Sequence, residues 1–345
     1  MRISLQLNYA GNITQSVKEL REYEKRGLDI VWVPEAYGFD SPTLMGYIAS
    51  VTEKVQIAAG IIPIYSRTPA LIAQTIAGLD HLSDGRAILG LGASGPQVVE
   101  GWHGVQYDRP IARTREIIEI CRKVWARETL TNDGIYKIPL PHDKGTGLGK
   151  ALKIINKPLR SEIPVFVAAL GAKNVEMTFS IADGWLPIFY IPEKSEQVWG
   201  SAIKAGLSAR DSSLRSPEVV AGGMLAIGEE VEGLRDLGRA ELALYVGGMG
   251  AKGRNFYFDL AVSYGYGKQA ESIQELYLSG DKGGAMSKVP GELLEHTSLI
   301  GDAGYIRDRV AAYQQSGVTI LNVSPVGPDK LNSFTKLVEI VHQLS

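Results

Sequence analysis

The sequence predicts an α/β fold, a (β/α)8 TIM barrel with insertions, and three features carry that expectation. Short β-branched runs alternate along the chain with longer segments of helical period. Most of the runs are apolar throughout, the pattern of parallel strands that helices cover on both faces. Eight such runs over 345 residues fit a barrel with insertions better than an open doubly wound sheet.

In chain order, residues 3–8 form the first expected strand, within the N-terminal run 1–9, MRISLQLNY. A helix over 14–26 follows, with Val17, Leu20 and Tyr23 at helical spacing and Gly27 as its stop. IVWV at 30–33 reads as a strand buried on both faces, and 55–62 as the next. Residues 70–82 are helical and end in the turn Ser83-Asp84-Gly85. The run 87–92 is the fourth strand, and the helix 113–127 carries Ile117, Cys121, Val124 and Trp125 down one side. Later strands fall at 164–168, 184–189, 219–227 and 318–323. The last helix, 331–344, turns Phe334, Leu337, Val338 and Val341 inward. Two stretches break the alternation, an irregular one at about 132–159 and a long, mostly helical one at about 228–297. Neither carries a linker of biased composition, so the whole chain, 1–345, reads as one domain with two insertions.

Charge and composition exclude several classes. With 36 basic against 38 acidic side chains and a net charge of −2, nothing marks a surface for nucleic acid or anionic membrane. A single cysteine, Cys121, excludes an internal disulfide framework and thiolate clusters for zinc or iron–sulfur. The N-terminus lacks the apolar core of a signal peptide, and no apolar segment is long enough to span a membrane. The expected setting is the reducing cytoplasm, and the expected partner a small molecule.

Gly90-Leu91-Gly92-Ala93-Ser94-Gly95 matches GxGxxG literally. A dinucleotide fingerprint belongs in the first βα turn, with an acidic residue closing the second strand. Here three strands precede it, so the preferred reading is a glycine-lined loop at the carboxyl end of strand four, where backbone can approach a ligand. The histidines at 81, 103, 142, 296 and 342 form no metal-ligand spacing, so no metal is expected. His103, in the loop after strand four beside Glu100, is either a proton-transfer group or a loop residue bonding backbone. Glu35, after strand two, either accepts hydrogen bonds from a ligand at the rim or pairs with Arg67. No GxSxG elbow or Walker loop is present, and no lysine ends a strand as a Schiff-base candidate.

Several segments taken together resemble the luciferase-like monooxygenase superfamily, in particular its coenzyme F420-dependent branch. They are VWVPEAYG (31–38), GIIPIYSRTP (60–69), LDHLSDGRAILGLGASGPQVVEGWHG (79–104), IPVFVAALG (163–171), IADGWLP (181–187) and SPVGPDK (324–330). The branch includes methylenetetrahydromethanopterin reductase and many actinobacterial oxidoreductases. The resemblance implies a luciferase-like barrel that holds the deazaflavin at its carboxyl rim and transfers a hydride to or from an unidentified small organic substrate. It implies a bulge in strand three with a cis peptide at Gly60–Ile61, backing one face of the deazaflavin. It assigns cofactor contacts to Glu35, Gly60, Ile61, Ser94, Gly95, Pro96 and Gln97. Gly171 and Ala172 would serve as donors to the cofactor's tail and phosphate, and Trp185 as a wall. A homodimer is also expected.

One departure bears on substrate. Sugar-phosphate-oxidising relatives carry Asp-His after strand two, where this chain has Glu35-Ala36, so glucose-6-phosphate oxidation is not expected. If a proton donor is needed, His103 or Glu100 takes the role. The insertion at 132–159 and the segment 245–290 are expected to cover the pocket, with Tyr245, Tyr257, Tyr264 and Tyr266 lining it or packing a core or a dimer face. The alternatives are an FMN-dependent two-component monooxygenase of the same superfamily and a non-catalytic cofactor-binding protein.

Overall fold

Four consecutive residues, Ile30-Val31-Trp32-Val33, are buried, because alternate side chains of a barrel strand meet either the interior or the helix layer. The computed structural model describes residues 1–8 and 11–344; Tyr9, the end of the N-terminal run, and Ser345 lie outside them. Eight parallel strands close the barrel: β1 (Arg2–Gln6), β2 (Ile30–Val33), β3 (Gln56–Ala59), β4 (Ala87–Gly92), β5 (Val165–Ala168), β6 (Gly184–Leu186), β7 (Glu218–Ile227) and β8 (Ile320–Pro325). Closure runs through β1 and β8, with Ser4 opposite Asn322 and their side chains joined at 2.9 Å.

The interior is filled from the bottom up. At the amino ends of the strands Arg2 donates to Gln56 at 2.5 Å and to Glu218 at 2.6 Å. Above it Ile30, Trp32, Ala58, Ile88, Phe166, Val220 and Ile320 form an apolar plug. Burying each of the larger side chains contributes about 1.5–3 kcal/mol. The middle of the barrel is solid, so chemistry has room only at the carboxyl ends.

The helices in order are α1 (Ile13–Lys25), α2 (Ser41–Val51), α3 (Pro69–Leu82), α4 (Pro96–Gly101), α5 (Pro110–Trp125), α6 (Ala172–Ile181) and α7 (Pro192–Ser208). There follow α8 (Arg239–Gly248), α9 (Phe256–Ser263), α10 (Gly267–Leu278), α11 (Lys282–Ser287), α12 (Gly291–His296), α13 (Ala303–Gln315) and α14 (Lys330–Gln343). Many are capped by the residue the sequence offers: Asn12, Asp40, Thr68 and Asp302 each accept a backbone N–H of the first turn.

Three differences from expectation bear on the barrel mouth. The third strand does not run unbroken over 55–62: β3 stops at Ala59, the Gly60–Ile61 peptide is cis, and Ile62–Pro63 then pairs with Leu91–Gly92 of β4. The sixth strand ends at Leu186 rather than at 189, and Phe189 turns the chain at φ 51°. A short strand, Ser298–Gly301, closes the second insertion and pairs with Met224–Ile227. Since β6 meets only Glu218 and Val219 of β7, the sheet parts between these strands toward the carboxyl end.

The first insertion does not cover the barrel mouth. Its hairpin, Asn132–Asp133 with Lys137–Ile138, is pinned to α5 by the Glu116 carboxylate, which accepts from Ile135 N at 2.9 Å and from the Asn132 side chain at 2.5 Å. The second insertion, as far as the loop after α12, contributes α8, α9 and Leu294 to the mouth.

Candidate active site

A cavity of about 1460 Å³ opens at the carboxyl ends of the strands, where the packed plug stops. Its floor is made by inward-facing residues, among them Gln6, Trp32, Ala168, Val220 and Asn322. One wall is the strand-three bulge. Gly60 N still donates to Val33 O of β2 at 2.8 Å, whereas Ile64 N donates to Gly92 O of β4 at 3.0 Å. The chain thus crosses from one neighbour to the other, presenting Gly60, Ile61 and Pro63 to the cavity.

This crossing explains the glycines of β4. A Cβ at Gly90 would overlap the Ala59 carbonyl oxygen, and one at Gly92 would lie 2.8 Å from Ile61 Cδ1. The glycine-lined loop expected from the motif is therefore, at Gly90, a strand position vacated for a neighbouring strand, not for a ligand. Gly92 makes room for Ile61 in the same way, although it also reaches the cavity surface. The loop proper begins at Ser94, which holds φ 59°. Ala36 after β2, Ser94 after β4 and Phe189 after β6 are all non-glycine residues at positive φ, and all line the cavity. Backbone held in this sparsely populated region collects at ligand sites.

Polar features collect in two places on either side of the floor. Helix α6 opens on Gly171 with no side-chain cap, so the N–H groups of Ala172 and Lys173 have no intrahelical acceptor. Lys173 lines the cavity beside them, and the neighbouring Asn174 has a buried, unpartnered Oδ1. A helix amino end with a lysine beside it fits a phosphorylated group. Across the floor from it, Gln6, Asn322 and Ser324 bring the polar groups of β1 and β8.

Gly60, Ile61, Ser94, Gly95, Pro96, Gln97, Gly171 and Ala172 all lie on the cavity wall. Four other sequence assignments do not. Trp185 points outward between two inward residues, Gly184 and Leu186. Its indole donates to Ala169 O at 2.9 Å, and it packs against Trp199 at 5.1 Å between ring centroids. It is core, not cofactor wall. Glu35 is buried and committed: Arg67 grips it at 2.7 and 3.1 Å, and Ser41 donates N–H and hydroxyl to it, both at 2.9 Å. The pairing with Arg67 is therefore the one realised, and the carboxylate also caps α2. Glu100 is exposed on α4 and accepts from Tyr107 N at 3.2 Å. His103 lies off the cavity wall with its backbone N–H on Val98 O at 3.2 Å, and its Nε2 is buried without a partner.

Residues 1–319 match the family model of the luciferase-like monooxygenases. The chain belongs to that family. It is 39% identical to a provisionally named coenzyme F420-dependent oxidoreductase of Mycobacterium tuberculosis, over 98% of this chain and 99% of that protein. It is 27% identical to the 5,10-methylenetetrahydromethanopterin reductase of Archaeoglobus fulgidus, over 90% of each. Among solved structures, the coenzyme F420 dependent tetrahydromethanopterin reductase of Methanopyrus kandleri superposes with a TM-score of 0.80 at 23% identity, covering 99% of both chains.

The sequence reading passed over several cavity residues of this luciferase-like barrel. Gln6 and Asn322 carried a signal, being polar side chains inside strands that are otherwise apolar. Of the four tyrosines, Tyr245 and Tyr257 line the mouth, 4.7 Å apart edge to face, and Phe189 packs on Tyr245 at 5.3 Å. Tyr264 and Tyr266 are buried instead, and Tyr264 donates to Phe189 O at 2.9 Å. Burial pushes the Tyr257 phenol up to about 12. Glu241 on α8 also lines the cavity, and burial raises its carboxyl above the usual range.

Proposed function

We propose that this chain is a coenzyme F420-dependent oxidoreductase that transfers a hydride between the deazaflavin and an unidentified small organic substrate. The observation that carries the reading is a two-sided cavity, with a flat backbone wall at Gly60–Ile61 and an uncapped helix amino end at Gly171–Ala172. The names of the full-length relatives support the choice of cofactor.

When bound, the deazaflavin supplies two-electron hydride chemistry at its carbon 5 and reacts poorly with oxygen. The N–H groups of Ala172 and Lys173, with the Lys173 ammonium, would hold its phosphate. Gly60, Ile61 and Pro63 would back one face of the ring system and leave the other open to substrate. Ser94, Gly95, Pro96 and Gln97 would border the ring edge. Phe189, Tyr245 and Tyr257 shield the mouth from water, which strengthens every polar interaction inside. The protein's contribution is orientation and exclusion of water. We further propose that the chain acts as a homodimer. The exposed apolar side chains of the first insertion, Leu148 at 85% and Ile155 at 90%, support a partner over that face.

Fluorescence titration of the purified protein with coenzyme F420 and, separately, FMN tests the cofactor. Deazaflavin binding at least about tenfold tighter than FMN, or 1.4 kcal/mol, is the expected result. Preference for FMN would replace this reading with the flavin monooxygenase alternative, and binding of neither would overturn both.

A further inference from the structure

Four of the five tryptophans, Trp32, Trp125, Trp185 and Trp199, are buried, and the fifth, Trp102, is 67% exposed at the end of α4. Tyr37, in the loop after β2, is 58% exposed, and its ring centroid lies 6.4 Å from that of Trp102. Both line the cavity, and so does Phe256, itself 57% exposed. Three of the five exposed aromatic side chains among the described residues therefore stand at one mouth. Exposed apolar residues scattered singly need no explanation, but a group of them at the opening of a cavity marks a binding surface.

The backbone beneath both rings is fixed. Ala36 turns the chain at φ 48°, and Gly38 N closes the turn on Glu35 O at 2.9 Å. The Glu35 carboxylate under this turn is held by Arg67 and Ser41. Trp102 N donates to Val98 O at 2.9 Å and so ends α4. The two ring planes meet at 51°, so neither ring covers the other. Neither the Tyr37 hydroxyl nor the Trp102 indole N–H has a hydrogen bond among the described residues. Aromatic side chains carried on a fixed backbone lose little freedom when a ligand is laid against them.

The occupant is a small molecule, because both rings belong to the cavity wall. A volume of about 1460 Å³ exceeds the roughly 300–1,000 Å³ of a pocket for one ligand, which leaves room beside a cofactor. Charge does not select the second molecule: Lys173 and Arg254 on the wall are matched by Glu241 and Asp259. The rim does select, since tyrosine and tryptophan rings favour a flat π system over a saturated ring of the same skeleton. The pair stands on the loops after β2 and β4, on either side of the strand-three bulge. Its exposure puts it at the outer edge, so the ring it holds lies toward solvent from the reacting centre.

We propose that Tyr37 and Trp102 form the substrate-selecting platform of this cavity, and that the substrate carries a planar aromatic ring held there, outside the atoms that react. Calling the occupant a substrate rests on the deazaflavin reading; the platform itself does not.

The indole N–H signals of tryptophan-labelled protein read the site directly, with Trp102 assigned from its absence in Trp102→Leu. In the F420-loaded protein, naphthol should move the Trp102 signal and leave those of the four buried tryptophans in place. Naphthol should bind at least about tenfold more tightly than decalol, its fully saturated counterpart. Trp102→Leu should bring that ratio within about threefold while F420 affinity stays within about twofold, and Trp102→Phe should restore it. Equal affinity for the two probes, an unmoved Trp102 signal, or a preference that survives Trp102→Leu combined with Tyr37→Leu would overturn the assignment. A Trp102 signal that follows protein concentration and ignores naphthol would give this face to a second copy. A shift produced in full by F420, with none left for naphthol, would give it to the cofactor, and either result overturns the proposal. If F420 does not bind while naphthol keeps its preference and its Trp102 shift, the platform stands and the failure lies in the cofactor reading.

Discussion

Glu35 and Glu241 are both glutamates at the carboxyl end of the barrel, and their surroundings differ. Glu35 has a bidentate arginine and two donors from Ser41. Glu35→Gln breaks a buried pair and is expected to cost about 3 kcal/mol in urea denaturation while leaving cofactor affinity unchanged. Glu241 has no such partner. Its folded pKa is raised above the unfolded value, so its contribution to stability is intact below the unfolded value and is lost as pH rises through the folded one. Glu241→Gln should therefore raise Tm relative to wild type at about pH 8, and the difference should vanish by about pH 4. Equal Tm differences at both pH values would show that the carboxyl ionises freely in the fold. From sequence, only Glu35 of the two was read as a rim residue. Glu35 could be placed there because a buried strand precedes it. Its partner could not be chosen, because Arg67 lies 32 residues on and meets it only after folding. Glu241 gave no signal, since its place on the wall is recognisable only once the cavity is known.

At the scale of elements, strands were legible where both faces are buried, because continuous apolar runs such as 30–33 and 87–92 leave little choice of structure. The run 55–62 misled because periodicity reports burial, and residues on both sides of the bulge are buried. The short strand Ser298–Gly301 escaped because four residues at the end of a helical insertion show no period. The bulge and β4 act as one unit, which gives a packing test. Gly90→Ala should cost at least about 3 kcal/mol in denaturant unfolding, since Ala59 belongs to backbone and cannot rotate away. A loss below about 1 kcal/mol would mean the strands separate easily. Helix α6 provides a binding test. Lys173→Glu reverses the charge at the uncapped amino end and should weaken F420 roughly tenfold or more, with less effect as salt rises. Unchanged affinity at low salt would move the phosphate elsewhere.

For the whole molecule, the barrel's solid middle directs function to one end, and the two insertions divide the remaining work. The second builds the mouth of the cavity with α8 and α9. The first lies away from it, fastened to the flank of α5 by Glu116 and by the Leu130 N–H on Leu152 O at 2.8 Å. Sequence alone suggested two covers because both segments interrupt the same alternation, and only the buried Glu116 carboxylate decides which surface the first one joins. Leu148, Leu152 and Ile155 are well exposed on it, and a backbone held in place with such side chains facing water calls for a covering surface. If that surface is a second copy, a charge at the centre of the patch should separate the copies without reaching the cavity. Leu148→Glu with Ile155→Glu is expected to convert a dimer into a monomer in sedimentation equilibrium while F420 affinity stays within about twofold. A wild-type chain that sediments as a monomer at every concentration would remove the dimer. A doubly substituted chain that remains dimeric would place the contact on another face.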